Sequence, residues 1–370
     1  MKEEQKSPHW ASFALPLARL LAVCLAAAFA LGAAGGPASA AQAVPASKSA
    51  SSGAVRTVIP LGRAVGIKLF SDGVLVVGLS EIPTADGSLT PAKDCGLREG
   101  DIITHINSEE VDTIEEVQEI LQTVGDDKLS IRAMRDGRQV QMTVQAAKCS
   151  PDGSYKLGAW IRDSMAGIGT MTFYDPEAGV FGALGHGIND VDTALLMPLS
   201  SGSIMYAEVS DVKKGTCGAP GELHGTFQVS RDMGDLYANT KSGIFGQLTD
   251  ESLAAGAKPV EVAQRSDVKT GKATILSNIA GDKVEEYEVE ITRVYPQNDN
   301  DTRNLMLKVT DSRLLDATGG IVQGMSGSPI LQDGKLVGAV THVLVNDPTS
   351  GYGILAENML AQAAEASEHI

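Results

Sequence analysis

Turn-forming residues recur along the whole chain and limit how long any one helix or strand can be. Forty glycines and fifteen prolines are spread over 370 residues, without the strict period of a collagen. Such residues break helices and mark turns, and the apolar runs between them are short. The spacing therefore predicts many short strands and argues against a helical bundle. The length alone predicts more than one domain.

Acidic residues outnumber basic residues, 46 to 30, and give the chain a formal charge of −16. This charge is opposite to that of a nucleic-acid-binding surface, so we expect proteins or peptides as partners and no nucleic acid.

No Cys-x-x-Cys or His-x-x-x-His spacing occurs, and we expect neither a metal nor a cofactor. Cys95, Cys149 and Cys217 lie beyond the N-terminal segment, and three cysteines cannot all pair within one chain.

The first forty residues have the pattern of an export signal. Basic residues precede an apolar run at residues 20–34, and Ala-Ser-Ala follows at residues 38–40. These are the three parts of a secretory signal, and the run is shorter than the roughly 20 residues of a spanning helix. We predict a signal peptide or N-terminal anchor at residues 1–40. A flexible Ser/Ala-rich linker is expected at residues 41–55.

Residues 56–148 are predicted to form the first folded unit. Short strands are expected on both sides of Ser71-Asp-Gly73, and a helix is expected after Thr113, with Glu116 completing its N-terminal cap. This order of elements, together with AKDCGLREGDIITHIN at residues 92–107, resembles a PDZ domain.

The PDZ resemblance implies a peptide-binding site. In such domains an extended peptide is added as a strand to the sheet, beside a helix. Here that position falls between the Gly66-Ile67 strand and the helix that starts near Thr113. The peptide-binding residues implied are Val65, Gly66 and Ile67, within a possible carboxylate-binding loop at residues 63–67.

From residue 156 to residue 370 the pattern consists of short β-type runs separated by glycine, which is typical of an antiparallel sandwich or barrel. A helix is predicted only at residues 357–368. The most distinctive motif is GMSGSP at residues 324–329. Glycines beside Ser326 let the backbone expose the hydroxyl and turn amides toward one point, as an acyl-transfer nucleophile requires.

A serine nucleophile needs a histidine to take its proton and a third group to orient the imidazole. His186 lies between two glycines at the end of an apolar run and is the best candidate for the base, with His224 and His342 as rivals. Asp311 follows an apolar strand that can bring its carboxylate to a partly buried position, and it ranks first for the third group. The other carboxylates that compete are Asp190, Asp192 and Asp316.

The motifs FYDP at 173–176, FGALGHG at 181–187 and TGGIVQGMSGSPI at 318–330 resemble those of the SpoIVB peptidases, serine peptidases of spore-forming Gram-positive bacteria. The resemblance implies a mostly β chain, in which an α+β PDZ domain precedes a chymotrypsin-like antiparallel double β-barrel at 156–370. It also implies a triad and an oxyanion hole. The triad residues are His186, Asp311 and Ser326, and the oxyanion hole is formed by the amides of Gly324 and Ser326.

The same resemblance implies an exported endopeptidase of sporulation signalling. Secreted from the forespore into the space between two membranes, it would cleave itself and a regulatory membrane protein, and so trigger processing of a late sigma-factor precursor. The PDZ domain would bind the enzyme's own N-terminal region or the tail of the target. Two alternatives stay open: a catalytically inactive PDZ scaffold, and a quality-control protease of the HtrA type, which usually carries PDZ domains after the peptidase domain.

Overall fold

The computed structural model describes residues 56–295 and 302–368, so the predicted signal and linker at residues 1–55 lie outside the described residues. Strands dominate this part of the chain. In chain order they are β1 (Thr57–Leu79), β2 (Ile82–Thr84), β3 (Gly87–Leu89), β4 (Ile102–Ile106), β5 (Glu109–Glu110), β6 (Lys128–Arg135), β7 (Arg138–Gln145), β8 (Ala147–Lys148), β9 (Tyr155–Lys156), β10 (Ala159–Asp175), β11 (Val180–Ala183), β12 (Ser201–Lys213), β13 (Glu222–Thr240), β14 (Gly243–Leu248), β15 (Val260–Glu261), β16 (Gly271–Ala280), β17 (Lys283–Val294), β18 (Leu305–Val309), β19 (Pro329–Gln332), β20 (Lys335–Leu344) and β21 (Asp347–Leu355).

Helices are few and short. They are α1 (Pro91–Asp94), α2 (Ile114–Val124), α3 (Ser312–Thr318) and α4 (Ala356–Ser367), with 3-10 turns at Glu251–Ala254 and Arg265–Asp267. The α2 helix begins at the predicted capping box, in which the Thr113 hydroxyl accepts from the Glu116 amide and the Glu116 carboxylate accepts from the Thr113 amide. None of the described helices is long and apolar enough to cross a membrane.

Two six-stranded antiparallel barrels form the larger part of the fold. The first closes in the order β1-β10-β11-β14-β13-β12, because β12 and β10 both pair with β1. The second closes in the order β16-β17-β18-β21-β20-β19. Apolar side chains that alternate along these strands fill each interior. The prediction of a mostly β chain with a PDZ domain and a double barrel is confirmed.

The PDZ domain is inserted into the first barrel. Strand β1 pairs with β10 from Ile59 to Leu79, with β12 from Val65 to Phe70, and with β4 through Val74 and Leu75. β4, β6 and β7 continue the sheet, and Val117 and Leu121 of α2 pack in its core. The predicted PDZ boundary at residue 56 is therefore wrong, since residues 57–70 belong to the barrel. Ser71-Asp-Gly73 forms an irregularity within β1 instead of a separating hairpin turn.

Candidate active site

Ser326 lies on the turn that connects α3 to β19, and backbone hydrogen bonds hold this turn against β20. The amide of Gly327 donates to the carbonyl of Val340 (2.7 Å), and the amide of Val340 donates to the carbonyl of Ser328 (2.9 Å). Met325 is fully buried beneath the turn. The motif GMSGSP is therefore a rigid part of the second barrel.

Thr170 of β10 joins the serine turn to the first barrel. Its amide donates to the carbonyl of Ser326 (3.0 Å), and its hydroxyl donates to the carbonyl of Gly324 (2.7 Å). Its carbonyl accepts from the amide of Leu184 (3.1 Å), two residues before His186. The two barrels thus bring the predicted nucleophile and the predicted base to one place.

Both residues also lie along β20. The hydroxyl of Ser326 donates to the carbonyl of Thr341 (2.8 Å), and the ring of His342 lies 5.2 Å from the ring of His186, centroid to centroid. Within residues 56–295 and 302–368, no hydrogen bond joins Ser326 to His186. The serine hydroxyl must therefore turn away from Thr341 before His186 can accept its proton.

The ring of His186 is held by a backbone contact. Its Nδ1 lies 2.8 Å from the carbonyl oxygen of Gly187, which can only accept, so Nδ1 carries the proton and Nε2 has a free lone pair. Burial lowers the pKa of His186 below its usual 6.5, and the Gly187 carbonyl opposes this only in part. A neutral imidazole with a free Nε2 is what a general base requires.

The predicted oxyanion donors remain available. Among the described residues, the amides of Gly324 and Ser326 donate no hydrogen bond, whereas their neighbours Met325 and Gly327 do. An unpaired amide beside a nucleophile is able to stabilise a developing oxyanion. The described part of the chain contains no group of three or more His, Cys, Asp or Glu side chains placed to hold a metal ion.

No hydrogen bond joins Asp311 to His186 within the described ranges. Its carboxylate caps α3 by accepting from the amide of Arg313 (2.9 Å), and it also accepts from the Arg313 guanidinium (2.8 Å) and the amide of Glu288 (3.2 Å). The structure therefore brings together His186 and Ser326 but does not show the orienting contact implied for Asp311.

The remaining candidate carboxylates and His224 have other partners or lie at the surface. Asp190 and Asp192 both form ion pairs with Arg162, and Asp316 is exposed. His224 is half exposed on β13, beside Glu222. Of the rival histidines, only His342 lies next to His186.

An Asp311→Asn chain is expected to lose stability chiefly at neutral pH. Arg313 holds the pKa of the Asp311 carboxyl at about 2, below its usual 3.8, so the folded state favours the charged form. Because the folded-state pKa is lowered, this stabilisation is present above pH 3.8 and disappears as the pH falls toward 2. Since Arg313 is largely exposed, we expect a loss of about 1–2 kcal/mol at pH 7, measured by chemical denaturation.

The same variant separates capping from catalysis. If Asp311 only caps α3, the reactivity of Ser326 in the folded variant stays within about tenfold of wild type. A loss of about 10⁴-fold at pH 7 is the cost of removing a carboxylate that orients the catalytic histidine. That result would assign Asp311 to the triad and would require its carboxylate to leave Arg313.

The predicted peptide site at Val65, Gly66 and Ile67 is wrong. These residues pair with β10 on one side and with β12 on the other, so their backbone offers no free edge. Val65 and Ile67 are buried in the first barrel. The physical reason is that β1 continues through the barrel before it reaches the PDZ domain.

A groove with a volume of about 690 Å³ lies instead between α2 and residues 155–161. Val117 and Leu121 form one wall, and Trp160, which is 65% exposed, stands on the opposite side. The start of β10 pairs with β1 on one edge only, so its other edge faces the groove. Within the described residues the amides of Leu157 and Gly158 donate no hydrogen bond. The overlooked signal is KLGA at residues 156–159, a glycine between apolar residues that follows the PDZ strands.

Three solved structures are similar to parts of the chain. The PDZ domain of an SdrC-like protein from Listeria monocytogenes is 21% identical, with a TM-score of 0.20 over 24% of this chain and 87% of that one. The HtrA-type protease AlgW with a decapeptide is 13% identical, with a TM-score of 0.33 over 58% of this chain and 55% of that one. The active form of the Rv3671c protease from M. tuberculosis is 14% identical, with a TM-score of 0.31 over 55% and 75%. Comparison with curated proteins gave no match.

Family descriptions match both predicted parts of the chain. A PDZ domain is matched at residues 89–135, the region that contains α2. The description SpoIVB peptidase S55 matches residues 153–360, more than half of the chain, and this range contains His186 and Ser326. The chain therefore belongs to the SpoIVB peptidase S55 family and is a serine peptidase.

Proposed function

We propose that the chain is an exported serine endopeptidase of sporulation signalling, with Ser326 as nucleophile and His186 as general base. The observation that carries the catalytic part is the junction at Thr170, which holds the serine turn of one barrel against the histidine segment of the other. Family membership supports the biological part.

The geometry supports the following sequence of steps. Ser326 Oγ attacks the carbonyl carbon of the scissile peptide bond while His186 Nε2 takes the hydroxyl proton. The oxyanion of the tetrahedral intermediate is stabilised by the amides of Gly324 and Ser326. His186 then gives its proton to the leaving amine, and the C–N bond breaks. Water, activated by the same imidazole, hydrolyses the ester and regenerates Ser326.

The substrates in this proposal are protein chains in the space into which the enzyme is exported. One is the enzyme itself, cut within residues 41–55, and the other is a regulatory membrane protein whose cleavage triggers processing of a late sigma-factor precursor. The export pattern at residues 1–40 supports the exported location, and the absence of apolar periodicity in the linker supports self-cleavage there. Family membership supports the membrane-protein substrate.

The PDZ groove gives the peptidase a second place to hold a peptide. The enzyme's own N-terminal region, or the tail of the target, would add to the free edge of β10 opposite α2. β10 then continues to Arg162, which binds the carboxylates of Asp190 and Asp192 in the loop after His186. Peptide binding in the groove and the position of the histidine loop are thereby linked through one strand.

The proposal is tested with the purified full chain, a Ser326→Ala variant and a fluorophosphonate probe that reacts with activated serines. We expect the wild-type chain to be labelled at Ser326, located by mass spectrometry, and to cut itself within residues 41–55. Both reactions are expected to be absent from Ser326→Ala. Self-cleavage that persists in the pure variant would show that another residue is the nucleophile.

The PDZ contribution is measured in the same experiment with Trp160→Ala, which removes the exposed indole from the groove. We expect slower self-cleavage at an unchanged rate of Ser326 labelling, because the groove binds peptide and lies outside the catalytic centre. Equal self-cleavage by wild type and Trp160→Ala would remove the groove from the proposal.

Two further observations distinguish the alternative functions. In sporulating cells that lack their own family member, rescue by Ser326→Ala would support the scaffold alternative. Degradation of unfolded casein would support the quality-control alternative.

A further inference from the structure

The loop that follows His186 is fixed by a side chain from another strand of the first barrel. Asn239, near the end of β13, makes three hydrogen bonds to this loop. Its Oδ1 accepts from the amide of Ile188 (2.9 Å), and its Nδ2 donates to the carbonyls of Ile188 (2.9 Å) and Met197 (2.9 Å). The Nδ2 amino group faces two carbonyl acceptors and Oδ1 faces an N–H donor, so the orientation of the side-chain amide is unambiguous.

The first of these bonds acts on the histidine through a single peptide unit. The amide of Ile188 and the carbonyl of Gly187 belong to the same planar group, in which N–H and C=O point in opposite directions. Fixing the N–H on Asn239 therefore fixes the direction of the carbonyl. That carbonyl is the one 2.8 Å from Nδ1 of His186.

Other contacts hold the residues next to this peptide unit. The amide of Met197 donates to the carbonyl of Ile188 (3.0 Å), which closes the loop onto itself. A side chain at Gly187 would meet the carbonyl oxygen of Thr240, the residue next to Asn239, at 2.6 Å. The loop therefore fits closely against the end of β13.

We propose that Asn239 is a positioning residue for the peptidase, which holds the Gly187 carbonyl so that His186 keeps its proton on Nδ1 and presents Nε2 to Ser326. Within the described residues the hydrogen-bond partner of the His186 ring is the Gly187 carbonyl, so the peptide unit that Asn239 holds is the one that sets the tautomer. The inference rests on the proposed function of His186 as the base.

The test compares wild type with Asn239→Leu, which keeps similar volume and removes all three hydrogen bonds. Asn189→Ala is the control, since Asn189 is an exposed amide on the same loop. Full-length chains are labelled with ¹⁵N-histidine, and the His186 signals are assigned by their absence from a His186→Gln chain. Ring ¹⁵N shifts at pH 8 report the tautomer, and the fluorophosphonate probe reports the rate at Ser326.

We expect a single Nδ1–H tautomer of His186 in wild type and in Asn189→Ala, and a mixture of tautomers in Asn239→Leu. The labelling rate of Asn239→Leu is expected to fall about 10²-fold, the cost of a misdirected catalytic group. A single Nδ1–H tautomer in a folded Asn239→Leu chain would overturn the inference.

Two wild-type measurements decide the matter if Asn239→Leu does not fold. The Nε2–H tautomer in wild type, or an Ile188 amide that exchanges with solvent as fast as an exposed amide, would each overturn the inference. Failure of the proposed function is recognised separately. In that case the probe does not label wild type at Ser326, whatever tautomer His186 shows.

Discussion

A His186→Gln chain is expected to react with a fluorophosphonate probe about 10³-fold more slowly than wild type, because general-base assistance contributes on that order. Glutamine is similar in size but cannot take the proton of Ser326 near neutral pH. The rate is measured by mass spectrometry of the labelled Ser326 peptide. His224→Gln is the matched control, since His224 is half exposed on β13, and it is expected to react at the wild-type rate. An equal rate for both variants would show that His186 is not the base.

The pH dependence of the wild-type rate gives an independent check on the same residue. Burial lowers the pKa of His186, and the other ring that faces it, His342, lies 5.2 Å away. Because the neutral imidazole is the active form, the rate should rise with pH and reach half of its plateau below pH 6.5. A midpoint above pH 6.5 would mean that the active enzyme favours the charged imidazole.

Gly327→Ala is expected to destabilise the second barrel by at least about 3 kcal/mol and to abolish labelling of Ser326 in the chains that still fold. Gly327 has φ of +98°, and a β-carbon there would lie 2.6 Å from the amide nitrogen of Leu184 and still closer to the carbonyl oxygen of Thr170. Both atoms are backbone and belong to the junction between the barrels. Unfolding in denaturant measures the loss of stability.

Gly334→Ala separates the steric clash from the strain of a left-handed backbone. Gly334 has φ of +77°, but a β-carbon there would have nothing within 4 Å. Only the conformational cost of about 1–2 kcal/mol applies, and labelling should be unchanged. If the two alanine variants lose equal stability, close packing at Gly327 does not hold the junction.

Local patterns in the sequence predicted the elements but not the path of β1. The capping box at Thr113 and the C-terminal helix depend on neighbouring residues, and both were predicted correctly. Whether β1 turns at Ser71-Asp-Gly73 or continues depends on its partners β10 and β12, which lie about a hundred residues away in the chain. Such long-range pairing has no local signal, so the peptide site was predicted at residues 65–67, a part of β1 that lies inside the first barrel.

For the candidate site, too, the sequence indicated individual residues but not the contacts between them. The glycines around Ser326 and His186 pointed to both residues as candidates, because a tight turn has a recognisable composition. The groups around His186 come from Gly187, from β13 and from β20, and their meeting depends on barrel closure. Asp311 ranked first on its position after an apolar strand, but its hydrogen bonds to Arg313 and to the amide of Glu288 depend on where α3 starts.

Strand β1 also determines the order in which the chain is able to fold. The first barrel needs β1 and β10 side by side, and most of the PDZ domain, from β2 to β9, lies between them in the chain. A folded PDZ domain holds the two strand ends together and so shortens the loop that the barrel must close. We therefore expect the PDZ domain to form early and to speed barrel closure. A protease that cut within the PDZ domain would remove this help from any chain that later unfolded, so that loss of activity through unfolding would become irreversible.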